Sequence, residues 1–419
     1  MSVFDAPNEH CVGRIFDLAK TQSVIASEDI VDANGTKLWA KGKAISPELK
    51  ERLLKRRLQS PLELSLEIER SITTGIVVED CLKLIDEDPL LQALAGSKAA
   101  GAALSHLRLV KLPGPIRMLL TVAQNSLEKN YRNALYTLAI SAGFASKHSL
   151  PPQELQMLLV TALLHDIGEI YINPEYLTPG HTMGASEWST VAAHPSVGHL
   201  VARDIGRLPE GVILGIAHHH ERLDGSGYPG MLRQKQISTF GRIVAVADSV
   251  SAILVRGQAN AAYQATLALK IVPEEYDRAS VNFVDTALRE LAGQSVCEGG
   301  GGGCSARVRG VAEQSAACTA MVEQLLGKAP SGPVHDALLM AQGVCISADK
   351  CLRSTGIEQL VQDASLGDET FCGEVCDVAK EIAWHLRNVA HNMHLRIGGR
   401  GLPSDIEFLT PLIALLERR

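Results

Sequence analysis

The sequence lacks the features that mark membrane proteins, nucleic-acid-binding proteins and disulfide-rich secreted domains. No apolar run approaches the roughly 18 residues that a membrane-spanning helix needs, and Met1–Gly13 contain no apolar signal core. The formal net charge of −7 provides no field that attracts long nucleic acids. The cysteines form no Cys-x-x-Cys pair, so we expect reduced thiols in a helical core rather than a zinc site. These absences predict a cytoplasmic protein without a transmembrane segment or a bulk nucleic-acid partner.

Aromatic residues are also scarce, at 4% of the chain, whereas alanine and leucine are plentiful. This composition favours helices over a sheet sandwich. We therefore predict a mainly α fold with a small N-terminal β-containing segment, a central helical bundle and a C-terminal helical domain. With 419 residues, the chain is long enough for several domains.

The first segment, residues 1–64, is predicted to hold two short strands around the Asn34-Gly35 turn and then a basic helix from Pro47 to Arg57. The helix has Leu49, Leu53 and Leu54 on one predicted apolar face. Its dense charge is typical of a solvated helix face, and binding of an anionic lipid or nucleotide is the alternative.

Four further segments follow. Residues 65–104 are predicted to be connecting helices, residues 105–294 the central domain, residues 295–305 a linker, and residues 306–419 a helical domain of unknown role. The linker assignment rests on Gly299–Gly303, because consecutive glycines disfavour both helices and packed strands.

The candidate site residues are polar side chains in apolar surroundings. His165 and Asp166 close an apolar helix, Met157–Leu164, and a buried carboxylate is costly unless it is paired or binds a metal. Asp248 lies in another apolar helix, where its partner is a metal or, alternatively, a core arginine. His194, taken alone, is more typical of a satisfied core histidine than of a metal ligand.

A run of histidines, His218-His219-His220, precedes Glu221 and Arg222. Adjacent imidazoles repel when protonated, so such a run suits neutral ligands that face a cation. The next residues, Asp224-Gly-Ser-Gly-Tyr-Pro229, predict a tight exposed loop, where substrate contacts commonly lie.

Together these motifs resemble the HD-GYP family, a bacterial branch of the HD superfamily of metal-dependent phosphohydrolases. The His-Asp pair, the single histidine, the His-His-Glu-Arg run with its Gly-Tyr-Pro loop and the final aspartate occur in the family's order. The resemblance covers residues 105–294 and implies an HD-type helical bundle. It also implies a signalling enzyme that hydrolyses cyclic di-GMP to pGpG or GMP.

The resemblance assigns roles residue by residue. It implies that the metal ligands are His165, Asp166, His194, His219, His220 and Asp248. Asp166, as the ligand that bridges two metals, and Arg222 are the implied catalytic residues. The implied substrate contacts are Arg222, Asp224, Gly225, Gly227, Tyr228 and Pro229. The cofactors would be one or two divalent ions of iron, manganese or zinc. Arg222 in an ordinary ion pair and Tyr228 as a loop anchor are the alternatives.

The chain departs from the family pattern at four positions. Asn133 replaces a histidine on the preceding helix, and Lys129 replaces a glutamate that holds a third metal in some members. Glu169 stands where a lysine normally follows the His-Asp-x-Gly motif, and Ser251 where a second aspartate is common. We expect no third metal and a weakened second site, because an amide is a poorer transition-metal ligand than imidazole.

Two functions from different classes remain. The first is a cyclic di-GMP phosphodiesterase. The second is a weak or inactive HD-GYP domain that binds cyclic di-GMP or a signalling protein and relays that signal. A phosphohydrolase for another nucleotide is a weaker third option, because the Gly-Tyr-Pro loop is intact. A homodimer is compatible with all three.

Overall fold

The computed structural model describes residues 4, 6–178, 180–258, 260–291, 300–354, 369–398 and 402–418. The described chain is mainly α-helical, with short two-stranded sheets near the N-terminus, as the composition predicted. It divides into two compact units: Met1–His220 with Ser238–Val255, and Glu221–Ile237 with Arg256–Arg419. Among the described residues, no helix combines the length and the apolar character that a membrane crossing requires.

The first unit begins with a small α/β segment. Helix α1 (Glu9–Leu18) precedes strands β1 (Val24–Ala26), β2 (Ile30–Val31) and β3 (Lys37–Trp39), helix α2 (Pro47–Leu54) and strand β4 (Leu66–Ile68). Strands β2 and β3 form the predicted hairpin. Its turn is stabilised by Asp32 Oδ1, which accepts from the backbone N–H groups of Asn34 and Thr36 at 3.0 and 2.9 Å.

Two sequence predictions in this segment are wrong. Strand β4 lies where connecting helices were expected, and it pairs antiparallel with β1. The burial of Leu66 and Ile68 on either side of exposed Glu67 is the period of two that a strand requires. On helix α2, Leu49 and Leu53 are buried, but Leu54 is 43% exposed, because consecutive residues cannot share one helix face.

Ten further helices of the described first unit form its core. They are α3 (Thr74–Glu87), α4 (Pro89–Ala95), α5 (Ser97–Arg108), α6 (Gly114–Ser126), α7 (Glu128–Lys147), α8 (Pro152–Leu164), α9 (Ala185–Val191), α10 (His194–Leu200), α11 (Glu210–His218) and α12 (Thr239–Leu254). Helix α7 contacts α3, α4, α5, α6, α8 and α12. It is buried without interruption from Ala134 to Ala145, so it forms the central axis of this unit.

The N-terminal segment is joined to this core by buried polar contacts. Arg14 Nη1 donates to the carbonyl oxygens of Ile170 and Ile172 at 2.5 and 3.0 Å. The hydroxyl of Tyr171 donates to Glu63 Oε1 at 2.7 Å. All these groups bind the short 3₁₀ turn Ile167–Tyr171, which directly follows the predicted ligands His165 and Asp166. The N-terminal segment thereby fixes this turn.

The second unit is helical, as predicted for the C-terminal part of the chain. Its described helices are α13 (Ala261–Ala268), α14 (Arg278–Leu288), α15 (Gly300–Leu326), α16 (Pro333–Ser354), α17 (Glu369–Gly398) and α18 (Pro403–Leu416). Helices α15, α16 and α17 contact one another around an apolar core that includes Cys318, Cys345 and Cys376. These three cysteines are buried and form no disulfide with one another, in agreement with the prediction of reduced core cysteines.

The glycine run is the main error in the C-terminal part. Helix α15 begins at Gly300, so Gly300–Gly303 are helical, whereas we expected them outside any helix. Glycine opposes a helix only through backbone entropy, which the packing of the following apolar residues Val308, Val311 and Cys318 can outweigh. The rest of the predicted linker, up to Gly299, lies outside the described residues.

Candidate metal centre

The six predicted metal ligands lie at four places along the first unit, two at helix ends and two within helices. His165 follows the last residue of α8, and Asp166 precedes the 3₁₀ turn. His194 is the first residue of α10, His219 and His220 follow the end of α11, and Asp248 lies within α12. Contacts of α8 with α11 and α12, and of α10 with α11, bring these positions together.

A close backbone approach places Asp166 beside His194. The 3₁₀ turn contains Gly168, and a Cβ atom at that position would lie 2.1 Å from the carbonyl oxygen of His194. No side chain fits in this contact, so the glycine of the His-Asp-x-Gly motif allows the two ligand segments to meet.

Three of the four histidines are oriented by the same type of hydrogen bond. The Nδ1 atoms of His165 and His194 lie 2.8 Å from the carbonyl oxygens of Ala162 and Val191, and His219 Nδ1 lies 2.7 Å from that of Ile216. A carbonyl only accepts, so each Nδ1 carries the proton and each Nε2 is left as a lone-pair donor. This arrangement is typical of metal-binding histidines.

Asp166 lies at the centre of these nitrogens. Its Oδ2 is 3.1 Å from His165 Nε2, and its Oδ1 is 3.3 Å from His194 Nε2 and 3.4 Å from His219 Nε2. Each carboxylate oxygen therefore faces different imidazoles. This is the geometry that a carboxylate shared by two cations requires.

The ligand atoms form two groups that share Asp166. One consists of Asp166, His194, His219 and His220, and the other of His165, Asp166 and Asp248. Within each group the ligand atoms lie within 4.8 Å of one another. The structure therefore brings together all six residues that the sequence indicated.

One contact in the first group indicates a cation directly. His194 Nε2 and His219 Nε2 lie 3.1 Å apart, and both rings already use Nδ1 as a donor. In the neutral rings two lone pairs then face each other in a buried site, which is repulsive unless a cation lies between or beside them. In addition, His165 Nε2 is buried without a hydrogen bond. Imidazole and carboxylate donors fit a divalent transition metal.

The mutual contacts also shift the pKa values of these groups. Burial alone would raise the pKa of Asp166, but the facing imidazoles of His165, His194 and His219 hold it well below its usual range. Burial lowers the pKa of His219, against the attraction of Asp166. Asp166 is thus kept ionised and His219 neutral, which are the forms that bind metals, whereas the neighbouring carboxylates outweigh burial and raise the pKa values of His165 and His194.

The predicted substrate loop belongs to the second unit. Asp224 Oδ1 accepts from the backbone N–H and the hydroxyl of Ser226 at 2.9 and 2.7 Å, which closes a tight turn. Gly225 has a φ of 82°, and a Cβ atom there would lie 2.6 Å from Arg233 Nε. Gly227 is buried, Tyr228 is 9% exposed, and Pro229 is half-buried. The loop is therefore less exposed than predicted.

Arg222 forms a largely buried ion pair. Its Nε donates to Glu275 Oε1 at 3.1 Å, its Nη1 donates to the carbonyl oxygen of Glu221 at 3.1 Å, and its guanidinium lies 4.7 Å from the centre of the Tyr276 ring. The side chains of Arg222 and Glu275 are 12% and 7% exposed. The pairing differs from the surface ion pair considered as the alternative, because both partners are withdrawn from water.

Comparison with known proteins identifies the central segment, since residues 116–280 match a family model described as HD domain. This segment is an HD domain. A cyclic di-GMP phosphodiesterase of Pseudomonas aeruginosa, PA4108, is 32% identical over 130 residues, which cover 31% of each protein. The cyclic di-GMP phosphodiesterase response regulator RpfG of Xanthomonas campestris is 35% identical over 111 residues, 26% of this chain and 29% of the relative.

A third relative is named for a different substrate. The 3'3'-cGAMP-specific phosphodiesterase 2 of Vibrio cholerae is 34% identical over 110 residues, 26% of this chain and 21% of that protein. The chain thus aligns with less than a third of the length of these relatives. The residues matched by the family model end at Ser280, before helices α15–α18.

Within the HD domain, Asn133 binds protein groups on both sides of its amide. Its Nδ2 donates to Asp248 Oδ1 at 2.9 Å, and its Oδ1 accepts from the hydroxyl of Ser251 at 2.7 Å. The Ser251 hydroxyl also lies 3.0 Å from that of Thr137. Two departures from the family pattern, Asn133 and Ser251, are therefore partners, and the Asn133 amide presents its nitrogen rather than its oxygen to the ligand Asp248.

Glu169 and Lys129 lie in different environments. Glu169 is 9% exposed, and Asn130 donates a hydrogen bond to its Oε2. Burial, followed by the charge of Asp166, raises the pKa of Glu169 to about 7. Lys129 is exposed to solvent. The acidic replacement thus acts close to the metal ligands, whereas the lysine lies at the surface of α7.

Sequence reasoning missed the residue that closes the substrate loop. Glu221 is 2% exposed, and its two carboxylate oxygens accept from the backbone N–H groups of Gly230 at 2.5 Å and Leu232 at 2.9 Å. Burial raises its pKa, which these N–H groups oppose. The one available signal was its position between the histidines and Arg222, inside the most specific motif of the chain.

Proposed function

We propose that this protein is a metal-dependent phosphodiesterase that hydrolyses cyclic di-GMP to pGpG or GMP in bacterial second-messenger signalling. The observation that carries the proposal is the pair of ligand groups that share Asp166, with Nε2 atoms and carboxylate oxygens directed at one another. The names of the bacterial relatives support the cyclic dinucleotide as substrate. A cytoplasmic site of action is part of the proposal.

In this proposal, His194, His219 and His220 hold one cation, His165 and Asp248 hold the other, and Asp166 holds both. Iron, manganese and zinc suit this donor set. When bound, such a pair supplies Lewis-acid activation of water and of the phosphodiester. The carbonyl groups of Ala162, Val191 and Ile216 keep the imidazoles oriented for this task. Substrate contacts are proposed for Arg222, Asp224, Gly225, Gly227, Tyr228 and Pro229.

A non-catalytic binding module is the second candidate, and Asn133 favours it. The amide nitrogen bound to Asp248 leaves the second group one ligand short. The buried carboxyl of Glu169 also adds negative charge close to Asp166 when it ionises, which opposes an anionic substrate. Binding of the nucleotide or of a signalling protein would survive these changes, whereas turnover would become slow.

Turnover by the metal-loaded protein decides between these candidates. The protein is loaded with iron, manganese or zinc and incubated with cyclic di-GMP or with 3'3'-cGAMP, and the linear products are separated. We expect linear product from cyclic di-GMP and loss of both metal and product in His165→Ala. The exposed His148→Ala serves as the matched control. Nucleotide binding without turnover would support the non-catalytic binding module. Product from 3'3'-cGAMP alone would show that 3'3'-cGAMP, rather than cyclic di-GMP, is the substrate.

A further inference from the structure

Helix α17 places four polar residues on a single face. Glu381, His385, Asn392 and Arg396 stand at positions i, i+4, i+11 and i+15, which return to the same side of an α-helix. His385, Asn392 and Arg396 are 5%, 3% and 9% exposed, so this polar face is turned into the second unit. Buried polar groups on an otherwise apolar helix need partners. The partners here are the backbone of the predicted substrate loop and Glu275, the residue that pairs with Arg222.

Two of these residues bind the backbone of the loop. Asn392 Nδ2 donates to the carbonyl oxygen of Ser226 at 2.8 Å, and Arg396 Nη2 donates to the carbonyl oxygen of Gly225. The loop's other bonds lie elsewhere, since Asp224 closes the first turn and Glu221 binds Gly230 and Leu232. Helix α17 therefore supplies donors in the middle of the loop.

A third residue of the same face approaches the partner of Arg222. His385 Nε2 lies 3.5 Å from Glu275 Oε2, and the other oxygen of Glu275 accepts from Arg222. The backbone N–H of Leu223 also donates to the carbonyl oxygen of Glu275 at 2.8 Å. Residues of α17 thus bind the loop backbone directly. His385 of the same helix contacts Glu275, which in turn binds Arg222 and the backbone of Leu223.

We propose that Asn392 and Arg396 are positioning residues, through which the C-terminal helical segment holds the loop in the conformation that contacts the substrate. This inference rests on the proposed function. It gives the C-terminal segment a defined part in substrate recognition, although that segment lies outside the residues matched by the family model. The phosphodiester chemistry itself does not depend on these two side chains.

Hydrogen exchange of the loop amides tests the structural part on the full-length chain. In Asn392→Asp, which keeps the shape and loses the donor, and in Arg396→Gln, we expect exchange of residues 224–230 to rise about tenfold or more, as loss of a buried hydrogen bond predicts. Arg396→Lys should restore part of the protection. Lys380→Gln is the control, because Lys380 lies on α17 and pairs with Asp377 instead.

Steady-state kinetics tests the functional part. The two donor-deleting variants should raise KM for the cyclic dinucleotide about tenfold, with kcat within about twofold and metal content unchanged, because the metal ligands lie in the other unit. A fall in kcat at constant KM would overturn the positioning role. So would a fall in KM, since α17 would then restrain the loop in an unproductive form.

The two proposals can fail separately. If the wild-type protein neither binds nor hydrolyses cyclic dinucleotides, the proposed function fails, whereas the exchange experiment still reports whether α17 holds the loop. Unchanged loop exchange in a folded Asn392→Asp protein overturns the inference regardless of activity. If Arg396→Gln does not fold, Arg396→Lys and Asn392→Ala replace it, and the same readouts apply.

Discussion

The side-chain amide of Asn133 donates a hydrogen bond of 2.9 Å to Oδ1 of Asp248, the carboxylate that lies 3.3 Å from His165 Nε2. An asparagine that donates to this carboxylate cannot at the same time use its nitrogen as a metal ligand. Its oxygen is engaged by Ser251. The helix that normally contributes a ligand in this family thus contributes an orienting hydrogen bond.

Replacement of Asn133 by histidine should increase the amount of metal that the protein retains. The imidazole would add a strong nitrogen ligand to the group formed by His165, Asp166 and Asp248, whose affinity should rise by about tenfold or more. Metal content after dialysis, measured by elemental analysis, checks this. Asn125→His, which adds an exposed imidazole on α6, should change nothing. Equal metal content in both variants would show that Asn133 lies outside the coordination sphere.

Removal of one of the two facing imidazoles should matter mainly when metal is present. In His194→Gln the contact between His194 Nε2 and His219 Nε2 disappears together with the hydrogen bond from His194 Nδ1 to Val191, so the metal-free protein should lose only about 1 kcal/mol of unfolding free energy. The variant should, however, lose the rise in Tm that metal addition causes in the wild type. A free metal concentration one hundred times Kd would stabilise the wild type by about 2.7 kcal/mol. Calorimetry with and without metal measures both. His199→Gln, on the same helix, should keep the metal response.

Variants of the Arg222–Glu275 pair can distinguish a structural role of the arginine from a catalytic one. Arg222→Gln leaves Glu275 buried without its cation, and we expect a loss of about 1–3 kcal/mol of unfolding free energy. The loss is moderate because burial already raises the pKa of Glu275 to about 7, so the carboxyl can take up a proton. Urea unfolding measures this loss.

The double variant Arg222→Gln/Glu275→Gln completes the comparison. Stability should recover, since neither group is then charged. If Arg222 contacts the phosphodiester, however, kcat/KM should remain lowered by about tenfold or more. Recovery of both stability and activity would assign Arg222 a structural role alone.

Glu381 should make the stability of the protein depend on pH. Burial, opposed by Arg256 and Arg387, raises its pKa from 4.5 to about 7. Between these values the folded state holds a proton that the unfolded chain has released, so the contribution of Glu381 to stability is greatest below pH 4.5 and falls as pH rises through this window. The full difference corresponds to about 3.4 kcal/mol at most.

Glu381→Gln should therefore reduce the difference in unfolding free energy between pH 5 and pH 8. Glutamine has the same shape and cannot ionise. Urea titrations at the two pH values measure the difference, with Glu407→Gln as the control because Glu407 is exposed on α18. An unchanged pH dependence in Glu381→Gln would show that this carboxyl ionises equally in both states.

The sequence allowed the proposed metal ligands to be named because short motifs contain them. His165 and Asp166 are adjacent, His219 and His220 are adjacent, and their order along the chain is typical of one family. The helices that hold them follow from apolar periodicity and from proline at the first turn of α8 and α10.

Other contacts left no pattern in the sequence. The bond from Arg396 to Gly225 joins residues far apart in the chain, and only tertiary packing decides it. For the same reason Asn133 could be recognised as a missing ligand but not as the partner of Ser251 and Asp248. Gly300–Gly303 are helical although glycine has a low helix propensity, because the packing of the rest of α15 outweighs this local preference.

The hydrogen bonds from Nδ1 of His165, His194 and His219 go to carbonyls at the ends of α8, α9 and α11, where a helix has no partners of its own for them. Each of these side chains consequently caps the C-terminal end of a helix, and each ring is also a proposed metal ligand. Fraying of a last helical turn would release the ring that it holds, so escape of the metal would require only local unwinding. Conversely, a bound cation would act as a clamp that keeps three helix ends from opening.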